Sequence, residues 1–262
     1  MNTEMETMYE SLGISKKVLE FGAQIEEHLK ERFEEIDKRA EFNQMKVIKA
    51  MQDNRVSDIH FAATTGYGYN DLGRDTLDKI FARVFRAEAG LVRSQFVNGT
   101  HTITCALMGI LRPGDTVISA FGPPYDTLQS VLGITGNAPG NFKEFGITYR
   151  QVDMTEDLRP DIPGICRAVQ EPHAKLLMIQ RSRGYSLRAA LTVDEIGEII
   201  QAAKAANPEI LVFVDNCYGE FVEDREPTEV GADIMAGSLI KNPGGGIAPT
   251  GGYIVGREEL VE

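Results

Sequence analysis

Apolar residues recur at roughly helical spacing through the first fifth of the chain. From Ser15 to Met51 they alternate with many charged residues, at Val18, Leu19, Ile25, Leu29, Phe33, Ile36, Met45, Val47 and Ile48. Such a stripe is typical of amphipathic helices, so the pattern predicts one or two of them. A glycine- and tyrosine-rich loop follows, "TTGYGYNDLGRDT", and "RDTLDKIFARVFRAE" then predicts a further helix.

Beyond residue 88, short β-type runs alternate with helical ones. Five runs predict strands: "TVISAF" (116–121), "GITYRQV" (146–152), "KLLMIQ" (175–180), "ILVFVDN" (210–216) and "GGYIVG" (251–256). Helices are predicted to begin near Thr100, Pro124, Ile162 and Thr192, and Thr192 with Glu195 has the pattern of a capping box. Strands such as "LVFVD" are apolar throughout, as expected when helices cover both faces of a parallel sheet. The sequence therefore predicts an α/β, doubly wound architecture.

The composition narrows the possible partners. The formal net charge is −12 and the pI is about 4.9, which argues against nucleic acid and anionic membranes as partners. No apolar run approaches the roughly 18–20 residues that span a bilayer. The N-terminus is acidic and lacks the apolar region of a signal peptide, and three cysteines lie far apart, so a cytoplasmic location is expected. The four histidines show no ligand spacing, which disfavours metal catalysis.

Ligands of a doubly wound sheet gather at the carboxyl ends of its strands, and two charged residues are candidates for such a site. Asp215 ends the run "ILVFVD", where a buried carboxylate is costly unless it meets a cation or good donors. The alternative is a turn or helix cap. Lys241 lies among small residues in "GSLIKNPGGG", so a ligand could approach it closely and its amine could act as nucleophile, Schiff-base former or general base. The alternative is a solvated turn lysine.

Two helix starts carry further candidates. In "QFVNGTHTITCALMGI", a turn at Asn98–Gly99 precedes a helix that opens at Thr100–His101. Free backbone N–H groups and the Thr100 hydroxyl there would suit a phosphate, although an ordinary N-cap explains the pattern equally well. His101 is either a stacking or catalytic group or a solvent-facing residue. In "FGPPYDTLQ", Tyr125 is either an aromatic plate for a flat ring or a core residue.

The loop "GYGYNDLGRDTL" offers Tyr67, Tyr69 and Arg74 as phosphate ligands. It matches neither the dinucleotide-binding glycine pattern nor a P-loop lysine motif. The order along the chain is a phosphate-type helix start, an aromatic plate, a strand-end aspartate and a lysine among glycines. That order is what pyridoxal phosphate requires, because the aspartate would hold the pyridinium proton and the lysine would bind the aldehyde.

Seven motifs extend this pattern over nearly the whole chain from about Ser15: "HFAATTGYGYNDLGRDTLDKIFA", "NGTHTITCALMGILRPGD", "PYDTL", "FGITYRQVD", "QRSRGYS", "FVDNCYGEFVE" and "GSLIKNPGGGIAPTGGYI". With them, the chain resembles the fold-type I pyridoxal-phosphate enzymes. Within that group it resembles the methionine gamma-lyase-like or cystathionine beta-lyase-like family that is often labelled aluminium resistance protein. The joint occurrence of the motifs in this order is specific to that family.

The resemblance implies a role for each candidate. Lys241 would be the Schiff-base lysine and proton shuttle, Asp215 the partner of the pyridinium nitrogen, and Tyr125 the ring-stacking aromatic. The phosphate would be bound by Gly99, Thr100 and Ser238, with His101 close by. Gln180 would lie near the cofactor's phenolic oxygen. In related lyases a Tyr-x-Arg segment of a neighbouring subunit completes the phosphate site, and the loop with Tyr67, Tyr69 and Arg74 is similar to it.

The resemblance also implies a domain plan and an activity. A helical arm is expected over residues 1–65 and the fold-type I large domain, a mainly parallel sheet flanked by helices, over 66–262. By the same resemblance, the smaller C-terminal domain, which usually supplies the arginine for the substrate carboxylate, is expected to be absent from this chain. The expected activity is β- or γ-elimination from cystathionine, cysteine or methionine by a homodimer or homotetramer. The alternatives are a truncated domain that binds the cofactor or only dimerises, and a phosphate-binding regulatory module.

Overall fold

The structure, a computed structural model, describes residues 3–64, 67, 70–136 and 139–262. Its helices are α1 Thr3–Ser11, α2 Lys16–Asp53, α3 Leu72–Val84, α4 Gly99–Ile110, α5 Asp126–Leu132, α6 Ile162–Val169, α7 Val193–Ala206 and α8 Glu258–Val261. Its strands are β1 Ala89–Arg93, β2 Thr116–Ser119, β3 Thr148–Gln151, β4 Ala174–Gln180, β5 Leu211–Asp215, β6 Ile234–Ser238 and β7 Gly252–Gly256. Among the described helices, none combines the length and apolarity needed to cross a bilayer.

The described strands form one sheet with the order β1-β7-β6-β5-β4-β2-β3. The pairs β2–β3, β2–β4, β4–β5 and β5–β6 are parallel, whereas β7 pairs antiparallel with both β1 and β6. The predicted α/β class with a mainly parallel sheet is confirmed. All five predicted strands are present, and two further strands, β1 and β6, were not predicted.

Side-chain caps fix where the main helices begin. The Thr192 hydroxyl accepts from the Glu195 backbone N–H, and the Glu195 carboxylate accepts from the Thr192 N–H, so the predicted capping box is confirmed. The Asp161 side chain caps α6 with one hydrogen bond, which it accepts from the N–H of Gly164. These caps satisfy N–H groups that have no partner inside the helix.

Apolar layers cover both faces of the sheet, which explains the continuous apolar strands. Along β4, Leu177 and Ile179 pack into one cluster with α6 and α7, while Leu176 and Met178 pack into the other with α4 and α5. Successive residues of a strand point to opposite faces, so both sets must be apolar when both faces are covered. This packing on both faces holds the carboxyl ends of the parallel strands together at one edge of the sheet.

The chain divides into two compact units, Met1–Gln44 and Met45–Glu262. The helical pattern predicted from Ser15 to Met51 corresponds to the single long helix α2. Its apolar stripe is largely exposed, with 64% of Phe21 and 46% of Phe33 accessible. The functional division into an arm over 1–65 and a cofactor domain over 66–262 stays a prediction.

Candidate functional site

The carboxyl ends of neighbouring parallel strands bring the main candidates to one edge of the sheet. Gln180, at the end of β4, lies opposite Asp215 at the end of β5. Asp215 in turn lies opposite Ala236 of β6, the strand that ends at Ser238. Lys241 follows three residues later, and its backbone N–H donates to the Ser238 carbonyl. Strand register alone therefore groups these residues.

Asp215 is a buried carboxylate with few donors around it. Its side chain accepts from the Cys217 N–H at 3.1 Å, and the residue is 2% exposed. Burial raises the pKa of Asp215 to about 6, and the nearby positive charge of Lys241 opposes that shift. A buried carboxylate is stabilised by a cation. The position therefore suits a protonated ring nitrogen of a ligand.

The segment that carries Lys241 is held by the turn that follows β5. The Lys241 amine donates to the Tyr218 hydroxyl and lies 3.9 Å from the centroid of that ring. The Asn242 side chain donates to the Glu220 carbonyl at 2.9 Å. Tyr218 adopts a left-handed backbone conformation, with φ 67°, which is costly for a residue with a Cβ. Lys241 is thus half-buried against an aromatic ring, not fully solvated.

The start of α4 lies against the same strands. The Asn98 side chain caps the helix by accepting from the His101 N–H at 2.9 Å, so the N-cap interpretation is confirmed. A Cβ on Gly99 would lie 3.3 Å from Cys217 Sγ and 3.4 Å from Ser238 Cβ, so Gly99 packs closely against both residues and a larger side chain would crowd them. The first N–H groups of a helix point outward and favour an anion.

Tyr125 joins the helix start to the strand ends. Its hydroxyl donates to Thr100 Oγ1 at 3.1 Å, and Thr100 Oγ1 lies 2.9 Å from Thr127 Oγ1. The Tyr125 N–H donates to Gln180 Oε1 at 2.8 Å, while Gln180 Nε2 donates to the Ser182 carbonyl at 3.0 Å. Burial, followed by the charge of Asp215, raises the pKa of Tyr125. Both ends of the Gln180 amide are engaged within the chain, and its predicted proximity to the cofactor's phenolic oxygen stays a prediction.

Three candidates are not joined to this group. The His101 ring accepts a hydrogen bond from the Val97 N–H at 3.2 Å, and this bond does not connect it to Lys241. Tyr67 is 83% exposed, and Arg74 pairs with Asp71 at 3.6 Å. Within the described part of the chain, no hydrogen bond or ion pair links Tyr67 or Arg74 to Lys241. Tyr69 lies outside the described residues.

The structure adds three residues that sequence reasoning missed. Tyr218 contacts the Lys241 amine, and Thr127 contacts Thr100. Glu220 is fully buried, with one carboxylate oxygen bonded to the Tyr253 hydroxyl at 2.8 Å and the other without a partner. Tyr218 and Glu220 stand within five residues of the end of β5, so the rule that singled out Asp215 could also have found them. Thr127 carried no such signal.

Comparison with known proteins gives consistent matches over most of the chain. The family model of methionine gamma-lyase matches residues 18–262. Protein YnbB of Bacillus subtilis is 46% identical over 256 residues, which are 97% of this chain and 61% of that protein. The structure of a carbon-sulfur lyase involved in aluminum resistance from Clostridium novyi has a TM-score of 0.95 and 46% identity, covering 100% of this chain and 62% of that one.

A more distant relative is the L-methionine gamma-lyase of Pseudomonas putida. It is 28% identical over 201 residues, which are 75% of this chain and 44% of that enzyme. The chain therefore spans less than two thirds of the length of each of these three relatives.

Proposed function

The chain belongs to the methionine gamma-lyase family, and from that premise we propose that it acts as a carbon–sulfur lyase on a sulfur-containing amino acid. Family membership implies the fold-type I architecture and pyridoxal 5′-phosphate as the cofactor. One observation carries the proposal. Asp215, Lys241, Tyr125 and Thr100 meet at the carboxyl edge of the sheet, where the parts of such a cofactor would each find a partner.

The residues of this edge fit the cofactor chemically. Asp215 is buried and its pKa is raised to about 6 by burial, so a cationic ring nitrogen would relieve the cost of its charge. The backbone N–H groups at the start of α4, which packs closely against Cys217 and Ser238 at Gly99, suit a phosphate. The half-buried Lys241 amine supplies the group that an aldehyde needs.

Each side chain would then have a defined task. When bound, pyridoxal phosphate supplies an electron sink that stabilises negative charge at the substrate Cα. Lys241 would hold the cofactor covalently, and its amine would move the proton at the substrate Cα. Asp215 would keep a proton on the ring nitrogen, and Tyr125 would pack against the ring. The Tyr218 hydroxyl, which contacts the Lys241 amine, would hold that amine in place.

The substrates that this chemistry favours are cystathionine, cysteine and methionine. Elimination at Cβ would release pyruvate, and elimination at Cγ would release 2-oxobutyrate. A homodimer or homotetramer in the cytoplasm completes the proposal, with Tyr67, Tyr69 and Arg74 reaching the phosphate of a neighbouring copy. The acidic net charge of −12 is in keeping with a small-molecule substrate and no nucleic acid.

Cofactor binding tests the proposal first. The purified chain mixed with pyridoxal phosphate is expected to acquire the visible absorbance of a lysine-bound cofactor, and Lys241→Ala is expected to lose it. Lys175→Ala, which removes an exposed lysine of β4, is the matched control. A chain that stays colourless, or Lys241→Ala that colours like the control, contradicts the proposal.

Turnover tests the lyase assignment separately. Pyruvate and 2-oxobutyrate are measured after incubation with cystathionine, cysteine and methionine. Release of either product supports the lyase and identifies the carbon at which elimination occurs. Cofactor binding without any release would instead support a domain that binds pyridoxal phosphate without completing the reaction.

A further inference from the structure

Arg188 is a buried arginine whose guanidinium donates to backbone carbonyl groups. It is 4% exposed, and its guanidinium donates to the carbonyls of Ala189 at 2.9 Å, Gln180 at 2.9 Å and Ser182 at 2.6 Å. No carboxylate of the described residues pairs with it. Burial lowers the pKa of Arg188 to about 10, so it is still charged at neutral pH. An apolar side chain at this position would avoid the desolvation cost, so the guanidinium is expected to have a specific task.

The contacts of Arg188 lead to Tyr125 through one amide. The Ser182 carbonyl accepts both from Arg188 and from Gln180 Nε2, and the opposite end of that amide, Oε1, accepts from the Tyr125 N–H. An amide has one accepting and one donating end. Because Arg188 fixes the Ser182 carbonyl, a reversed amide would place oxygen against oxygen and N–H against N–H. The observed orientation of Gln180 is therefore enforced.

Arg188 also contacts the segment that precedes Tyr125 in the chain. The guanidinium carbon of Arg188 lies 4.2 Å from the centroid of the Phe121 ring. Phe121 begins the short segment that leads through Pro123 and Pro124 to Tyr125. Proline restricts the backbone of that segment, so displacement at Phe121 is carried toward Tyr125. A planar guanidinium can stack face to face on a ring while its N–H groups donate in the plane to several carbonyls, whereas an ammonium group has three donors but no planar face.

We infer that Arg188 is a positioning residue for Tyr125: it fixes the Ser182 carbonyl, which orients the Gln180 amide, which holds the Tyr125 backbone at the edge of the site. The inference rests on the proposed function, since the position of Tyr125 matters to catalysis only when its ring packs against the cofactor. It assigns Arg188 no contact with substrate or cofactor.

The direct test is the variant Arg188→Lys. It keeps the positive charge but removes the planar set of N–H donors and the stacking on the Phe121 ring. Pyridoxal phosphate is titrated into the wild type and the variant, followed by absorbance and by circular dichroism of the visible band. The Kd of the variant is expected to rise about tenfold, the effect of losing one hydrogen bond to a charged group. The dichroism at saturation is expected to fall, because it reports the asymmetric surroundings of the ring.

Two further variants separate positioning from general destabilisation. Gln180→Glu places a carboxylate oxygen against the Ser182 carbonyl, so it is expected to match Arg188→Lys, and the double variant is expected to lose no more than either single one. Arg257→Lys is the control, because Arg257 pairs with Asp233 before β6, at the opposite edge of the sheet. It is expected to leave both the Kd and the dichroism unchanged.

The outcomes distinguish the two proposals. A wild type that binds no pyridoxal phosphate overturns the proposed function and this inference together. Normal wild-type binding combined with an unchanged Kd and dichroism in Arg188→Lys, or with additive losses in the double variant, overturns the inference alone. Far-ultraviolet dichroism checks folding. If Arg188→Lys does not fold, the Gln180→Glu variant is the test. A visible dichroism of pyridoxal phosphate bound to Gln180→Glu that equals that of the wild type rejects the inference.

Discussion

Replacing Glu220 with glutamine is expected to remove a pH dependence from the stability of the fold. The Glu220 carboxyl group is fully buried, and one of its oxygens accepts from the Tyr253 hydroxyl while the other has no partner. Burial is the main cause that raises the pKa of Glu220 to about 8, and the charges of Glu226 and Asp215 add to it. Glutamine keeps the acceptor for Tyr253 and cannot titrate.

The sign and size follow from the protons bound in each state. Between the ordinary pKa of 4.5 and the folded value of about 8, the folded protein holds a proton on Glu220 that the unfolded chain has lost. The contribution of Glu220 to stability is therefore complete below pH 4.5 and is lost as pH rises toward 8. The slope is about 1.4 kcal/mol per pH unit for one proton. From pH 5 to pH 7 the variant should gain about 3 kcal/mol relative to the wild type.

Urea unfolding followed by far-ultraviolet dichroism from pH 5 to pH 8.5 measures this difference. Any fixed packing cost of the amide is the same at every pH, so it cancels in the slope. Glu198→Gln, which removes an exposed carboxyl group from α7, is the matched control and corrects for the change in net charge. Parallel curves for the wild type and Glu220→Gln would refute the reasoning, because they would mean that Glu220 is ionised in the folded protein.

Three further predictions concern separate parts of the molecule. Gly244→Ala would place a Cβ 1.7 Å from the Leu239 carbonyl oxygen and should cost about 3 kcal/mol or more in urea unfolding, whereas Gly109→Ala, with nothing within 4 Å, should gain about 0.5–1 kcal/mol. Thr192→Ala removes the cap of α7 and should cost about 1 kcal/mol, with Thr192→Ser close to the wild type in the same measurement. Asp215→Asn should still bind pyridoxal phosphate but lose about 100-fold or more in kcat; full turnover of that variant would exclude the proposed partner of the ring nitrogen.

Local sequence signals were sufficient to predict an element whose conformation depends on its own residues. The apolar runs of β4 and β5 predicted strands because both faces of each strand are covered by helices. The pair Thr192 and Glu195 predicted the start of α7 because a capping box is made within four residues. The alternation of such elements was enough to indicate the α/β class.

The two strands that the sequence did not predict differ in composition. In "AGLVR" and "IMAGS" small residues interrupt the apolar run, so neither length nor β-branched content marks a strand. Both pair with β7, whose antiparallel position between them depends on residues far apart in the chain. Their conformation is set by this pairing and by burial, which are tertiary properties.

The same division holds for the candidate site. By itself the sequence determined the fold class, placed Asp215 at the end of a predicted strand and singled out Lys241 among small residues, because these features depend on a short apolar run and on a glycine-rich turn. Only the tertiary structure decided that Lys241 contacts Tyr218, that Gln180 holds the backbone of Tyr125, and that the Arg188 guanidinium donates to the Ser182 carbonyl. These contacts join residues 23 and 55 positions apart in two of the three cases. Strand register and burial determine which residues meet in these contacts. Both depend on the packing of distant parts of the chain, so residues that are neighbours in sequence do not reveal them.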